Sequence, residues 1–114
     1  DLLQKYNVDM FVTGHVHAYG RSLPVFQGKV DPQPRNVYTN PKYPTHLVVG
    51  GAGCDEMKGK EVSDEFEASI PWSVTTDYSH YAMGLLNVNR TMLNWQWRAS
   101  ANNTVLDELT IVKH

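Results

Sequence analysis

The sequence predicts a layered α/β domain that ends in antiparallel strands. Two observations carry this. Early on, "VDMFVT" (residues 8–13) and "THLVVGGAG" (45–53) are short, nearly continuous apolar runs that close on glycine. That is the pattern of strands covered on both faces. From Gly84 onward, apolar residues alternate with polar ones instead, the pattern of strands with one covered face.

Each element follows in order. "DLLQKY" reads as the last turns of a helix: Leu2, Leu3 and Tyr6 share a face, and Asn7 suits a left-handed cap. The chain is therefore expected to begin inside an element, with an N-terminal part before it. "VDMFVT" is the first buried strand, and "LPVF" (23–26) is a short second one. Residues 27–45 contain Pro32, Pro34, Pro41 and Pro44 and read as a surface loop. "THLVVGGAG" is the next buried strand, and its glycines read as a close-packed turn. It lacks the lysine and following helix of a phosphate loop. Residues 54–83 are polar and read as irregular. "GLLNVN", "TMLNWQWRAS" and "TVLDELTIVKH" then form an antiparallel meander, with Leu93, Trp95 and Trp97 on one face and Met92, Asn94 and Gln96 on the other.

Composition narrows the function classes. The 114 residues make one small domain or part of a larger one, and 41% are hydrophobic, enough for a core. A formal charge of −2 leaves no electrostatic footprint for nucleic acid. No apolar run reaches the roughly 18–20 residues that span a bilayer. The single cysteine, Cys54, has no partner within the sequence. The sequons at Asn89 ("NRT") and Asn102 ("NNT") favour a secreted, glycosylated protein, with both asparagines at exposed strand ends.

The stretch that carries chemistry is "FVTGHVHAYGR", residues 11–21. In extended backbone, His15 and His17 would point to one side, about 6.5–7 Å apart along the strand. Two-metal hydrolytic centres hold their ions about 3.5–4 Å apart, within reach of one imidazole each. Gly14 would let the chain turn sharply without a Cβ. Ligands of open α/β sheets gather at such carboxyl ends of strands. The plainer alternative is a pair of solvated loop histidines.

A resemblance extends this reading. "VDMFVTGHVHAYGRSLPVF" resembles the last metal-ligand motif of the purple acid phosphatases, a branch of the calcineurin-like metallophosphoesterases. "YTNPKYPTHLVVGGAGCDEM" and "YAMGLLNVNRTMLNWQWRAS…VLDELTIVKH" are similar to that family's later segments. The resemblance implies that residues 1–114 are the C-terminal portion of one catalytic domain, part of a layered α/β sandwich. It implies a dinuclear centre of Fe(III) with Zn(II), Mn(II) or Fe(II), with His15 on the divalent ion and His17 on the ferric ion. It implies hydrolysis of phosphate monoesters at acidic pH by a secreted or lysosomal enzyme. The remaining ligands and the catalytic histidines would lie in the N-terminal remainder of the protein. No catalytic residue is therefore assigned here, and the segment alone is expected to be inactive. Two alternatives stand beside this: a metallophosphodiesterase or nucleotidase, and an inactive phosphatase-like binding glycoprotein. Gly20 departs from the pattern, standing where the family usually has glutamate.

Other polar residues read as structural. His46 is expected to be a hydrogen-bonded structural residue, His80 and His114 surface residues, and Asp9 a capping or ion-pair residue. Asp55 and Glu56 read as solvated, and Trp95 and Trp97 as sheet packing. Asp77, Tyr78 and Tyr81 lie in a polar segment that could approach the mouth of the site.

Overall fold

The computed structural model describes residues 2–53 and 70–114. They open with α1 (Leu2–Lys5), which closes at Asn7 with a left-handed φ of 54°. Ten strands follow among the described residues: β1 (Met10–Thr13), β2 (Tyr19–Ser22), β3 (Val25–Phe26), β4 (Lys29–Val30), β5 (Val37–Thr39), β6 (Thr45–Val49), β7 (Ser73–Asp77), β8 (Ala82–Val88), β9 (Met92–Ala99) and β10 (Val105–Val112). One sheet has the order β1-β6-β2-β7 and a second the order β5-β10-β9-β8; β3 and β4 form a small hairpin. Both larger sheets are mixed. β1 runs parallel to β6, and β5 parallel to β10, while the other pairings are antiparallel.

The alternation in β9 explains the core. Leu93, Trp95, Trp97 and Ala99 take one face, and the two tryptophans and Ala99 are buried. Across the ladder, Gly84 of β8 faces Trp97. A Cβ on Gly84 would lie 1.9 Å from the Trp95 ring, so only glycine leaves that indole its place. From the other sheet, Tyr19 stacks on Trp97 with ring centroids 4.5 Å apart, and lies nearly parallel to Trp95 at 6.5 Å. Tyr38, Leu47, Leu109 and Ile111 complete the cluster that joins the sheets. Such ring pairs add about 0.5–1.5 kcal/mol beyond the area they bury.

The structure departs from the sequence reading in five places. The strand after the histidines is Tyr19–Ser22, which was not expected, and only Val25–Phe26 of "LPVF" is in a strand. β1 is an edge strand, with Phe11 41% and Val12 48% exposed, rather than covered on both faces. Its apolar run meets β6 on one side, and no described residue pairs with the other. Residues 27–45 are not simply a surface loop: they hold β4 and β5, and Tyr38 is fully buried. β5 has only three residues, and pairing with distant β10 makes it a strand. The polar stretch 54–83 contains β7 and the start of β8. Residues 54–69, with Cys54, Asp55 and Glu56, lie outside the described set. Finally, α1 is the one helix among the described residues, so they show two mixed sheets without helical layers. The closing meander and the face assignments of β9 are as read from the sequence.

Both sequon asparagines lie in exposed turns. Asn89, between β8 and β9, accepts hydrogen bonds at Oδ1 from the Thr91 and Met92 N–H groups (2.9 and 2.8 Å). Asn102, between β9 and β10, accepts one from the Thr104 N–H at 3.1 Å. Asp9 ion-pairs with Lys113 at 2.7 Å, tying the start of β1 to the end of the chain.

Asp77 closes β7 and binds the second sheet. Its carboxylate accepts from Trp97 Nε1 (3.3 Å) and the Ser79 N–H (2.9 Å), and lies 3.1 Å from the His80 ring. Burial alone would raise its pKa, but the Ser79, His80 and Trp97 bonds outweigh burial and hold it below its ordinary 3.8. Its stabilising contribution is therefore complete above about pH 3.8 and lost as pH falls through the lower folded value. Thermal unfolding of the intact protein and Asp77→Asn should differ most near about pH 6, and the gap should close below about pH 3.8. A gap that stays constant across that range would show that the carboxylate is not depressed.

Candidate metal centre

The histidines sit in a five-residue connection, residues 14–18, between β1 and β2. Two short hydrogen bonds shape it: the Val16 N–H donates to the Gly14 carbonyl at 3.0 Å, and the Ala18 N–H donates to the Val16 carbonyl at 2.8 Å. These are two successive three-residue turns, with His15 at the centre of the first and His17 at the centre of the second. His15 has φ 74°. That matches the positive-φ γ-turn, centred near about +75°, which is rare and strained. For a residue with a Cβ, such backbone costs of order 1–3 kcal/mol and concentrates at functional sites.

This geometry corrects the extended-backbone expectation. The chain leaves the strand after Thr13, so the histidines project from turns. Gly14 is not where the constraint lies either. A Cβ there would meet the Val49 carbonyl at 3.7 Å, an ordinary contact. The constraint lies at Gly50, the first glycine of "GGAG". Its N–H donates to the Ala18 carbonyl at 2.9 Å, and a Cβ on it would sit 1.8 Å from the Val16 carbonyl oxygen. Gly50 is thus pressed against the backbone between the two histidines. No other residue type fits there without moving the loop.

Topology brings further groups to the same edge. β1 and β6 are parallel, so residues 14–18 and 50–53 both leave at carboxyl ends on that edge. β7 ends there too, since Asp77 lies opposite Tyr19. Asp77, Tyr78 and Tyr81 therefore do approach the end of the sheet that carries the histidines. His80 is exposed, as expected, and is paired with Asp77. Trp95 and Trp97 are core residues. His46 sits on β6 with its ring edge-on to Phe11.

Two imidazoles suit iron and zinc. His15 is exposed and His17 half-buried, so both can contribute to a shared site. No group of three or more His, Cys, Asp or Glu that could hold an ion occurs among the described residues. The donors fit a metal centre as contributors, not as its whole ligand set.

Beneath the loop lies a buried polar network. The Tyr19 hydroxyl donates to Asp107 Oδ2 at 2.6 Å and accepts from Trp95 Nε1 at 2.9 Å. Arg21 donates from Nε to Asp107 Oδ2 (2.6 Å) and from Nη2 to Oδ1 (2.9 Å). Arg21 Nη1 donates to the Tyr38 hydroxyl and to the Arg35 carbonyl, each at 2.9 Å, and Tyr38 donates onward to the Ser22 carbonyl. Burial, reinforced by the Asp107 charge, pushes the Tyr19 phenol far above its ordinary range. Burial alone would lower the Arg21 guanidinium, but its bond to Asp107 and the surrounding charges outweigh burial and hold it above its ordinary value. The motif's tyrosine and arginine are therefore core residues.

Sequence reasoning missed Asp107 and Tyr38. One signal was available: Asp107 is in step with Leu109 and Ile111 on the core face of an alternating strand. Gly20, on the opposite face of β2 from Tyr19, has room for a side chain. A Cβ would meet Thr76 and Val48 only at 3.9 Å, beside a cleft of about 290 Å³ also lined by Val16, His46 and Tyr78.

Comparison with known proteins converges on one family. The family described as "Iron/zinc purple acid phosphatase-like protein C" matches residues 43–108. An "Acid phosphatase type 7" from Danio rerio is 34% identical over 99% of this chain and 25% of its own length. A "Probable inactive purple acid phosphatase 27" from Arabidopsis thaliana is 32% identical over 98% of this chain and 18% of its own length. A purple acid phosphatase from yellow lupin seeds superposes with a TM-score of 0.83 at 29% identity, over 98% of this chain and 19% of the lupin chain. The chain thus spans a quarter or less of the length of these relatives. With the match covering more than half of its residues, the chain belongs to the iron/zinc purple acid phosphatase-like family.

Proposed function

We propose that this chain is the C-terminal part of an acid phosphatase, hydrolysing phosphate monoesters at acidic pH, and that it supplies two ligands to a dinuclear metal centre. The observation that carries this reading is the strained γ-turn at His15, pinned from behind by Gly50. Strain of that kind persists only where surrounding structure over-determines it. In this reading His15 serves the divalent ion and His17 the ferric ion of an Fe(III) pair with Zn(II), Mn(II) or Fe(II). Bound there, the ions supply positive charge that polarises phosphoryl oxygens. The chain's own part is to hold two imidazoles at fixed separation on the carboxyl edge of a sheet. The N-terminal remainder supplies the other ligands, the catalytic groups, the helical layers of an α/β sandwich and the neighbour of β1. The protein is secreted or lysosomal, and its exposed sequon turns support that.

A second reading is a phosphatase-like binding glycoprotein without activity. It draws on the Arabidopsis relative's name and on the open position at Gly20. Metal content separates the two.

His17→Ala in the intact protein should remove iron and its charge-transfer colour and lower activity at least about 100-fold. His15→Ala should chiefly deplete the divalent ion. An intact protein without metal, or wild-type metal content in both variants, would end the phosphatase reading. Gly50→Ala should weaken metal binding about tenfold by displacing the Val16 carbonyl, while the protein still folds. Unchanged metal affinity in that variant would show that Gly50 does not set the loop. Mass analysis of native protein before and after glycosidase treatment should show glycan at Asn89 or Asn102. No mass change at either site would remove the support for secretion.

A further inference from the structure

We propose that Asp107 is a positioning residue for the two histidines, fixing through Tyr19 and Arg21 the strand that receives their loop. This deepens the metal-site reading above and rests on it. The loop has two anchors. On one side is β1, which among the described residues pairs with β6 alone. On the other is β2, where Tyr19 follows Ala18 directly and is 1% exposed.

Ladders with β6 and β7 fix β2 within its own sheet, but packing alone does not fix it against the second sheet. The Tyr19 ring lies flat on Trp97, with an interplanar angle of 9°, and apolar contact is non-directional. Such a stack tolerates sliding in its plane. Directional bonds remove the freedom. Tyr19 and Arg21, two residues apart on β2, direct three donors onto the one carboxylate of Asp107, at 2.6, 2.6 and 2.9 Å. Two of these come from one guanidinium, and a bidentate pair fixes orientation as well as distance. Asp107 itself lies on β10, held between β5 and β9. The position of β2 is thereby referred to the second sheet, and His17 lies two residues from Tyr19. Asp107 and Arg21 are buried in the core, so their influence on the metal passes through the placement of the loop.

The test uses the intact protein, stripped of metal by chelation and titrated with zinc ion, with thermal unfolding measured in parallel. The paired replacement Arg21→Met with Asp107→Leu removes both buried charges together, which commonly leaves stability near or above wild type. Expected is an unfolding temperature close to wild type with a zinc Kd raised about 10–100-fold. Tyr19→Phe keeps the stack and the ion pair but deletes the bond to Asp107 and the one accepted from Trp95 Nε1, and should raise the Kd about tenfold. A folded paired variant with wild-type zinc affinity would overturn the inference, because a merely structural network would move stability and not metal affinity. If the paired variant does not fold, Tyr19→Phe decides alone by the same criterion. Wild-type protein that binds no zinc would overturn the metal-site reading and this inference with it; wild-type binding with unchanged variants overturns this inference only.

Discussion

One carboxylate ties this structure together. Asp107 enters the core from β10 and meets Arg21 and Tyr19 arriving from the opposite sheet. Burying a charge pair is expensive, and the cost is offset only when geometry is good and the remaining donors are satisfied. Both conditions hold: the guanidinium is bidentate to Asp107, and its other nitrogen is taken by Tyr38 and the Arg35 carbonyl. Deleting one partner alone would leave an uncompensated buried charge, at about 3–5 kcal/mol. The aromatic stack of Tyr19 on Trp97 supplies area, and the carboxylate supplies register.

The parts of this fold legible in the sequence are those whose signal is local. β9 and β10 alternate for eight residues each, long enough for a period of two to show. β6 was legible as an apolar run, and Asn7 as a cap. β5 and β7 were not. β5 has three residues and owes its strand geometry to β10, more than seventy positions away. β7 reads "SVTTD", half-buried throughout, without a clean alternation. At the site, the residue types were legible and the backbone was not. "GHVH" marks the candidate ligands, but nothing in the letters says that His15 takes a positive φ or that Gly50, rather than Gly14, bears the close approach. Those facts arise from contacts across thirty-odd residues. Tyr19 and Arg21 stood out only as part of a resemblance, and the partner that explains them lies far along the chain.

Two separate lines of observation meet at one contact. The family match spans residues 43–108, so the histidine loop lies upstream of it. The match therefore rests on β6 to β10, while the metal-ligand reading rests on residues 11–21. Gly50 belongs to the first segment and presses on Val16 of the second. A residue within the family match thus presses on the loop that carries His15 and His17.

The side of β1 that no described residue pairs with bears on how these residues behave in solution. A strand with unpaired backbone N–H and C=O groups along one side is a template for another strand. Native sheets blunt such edges with lysine, proline or a bulge. "MFVT" has no proline or charged residue, and Phe11 and Val12 stand exposed on it. At the rim of the other sheet, β8 presents exposed Met83, Leu85, Leu86 and Val88. Left uncovered, these two borders would pair between molecules. Such material would accumulate as aggregate before any question of catalysis arose.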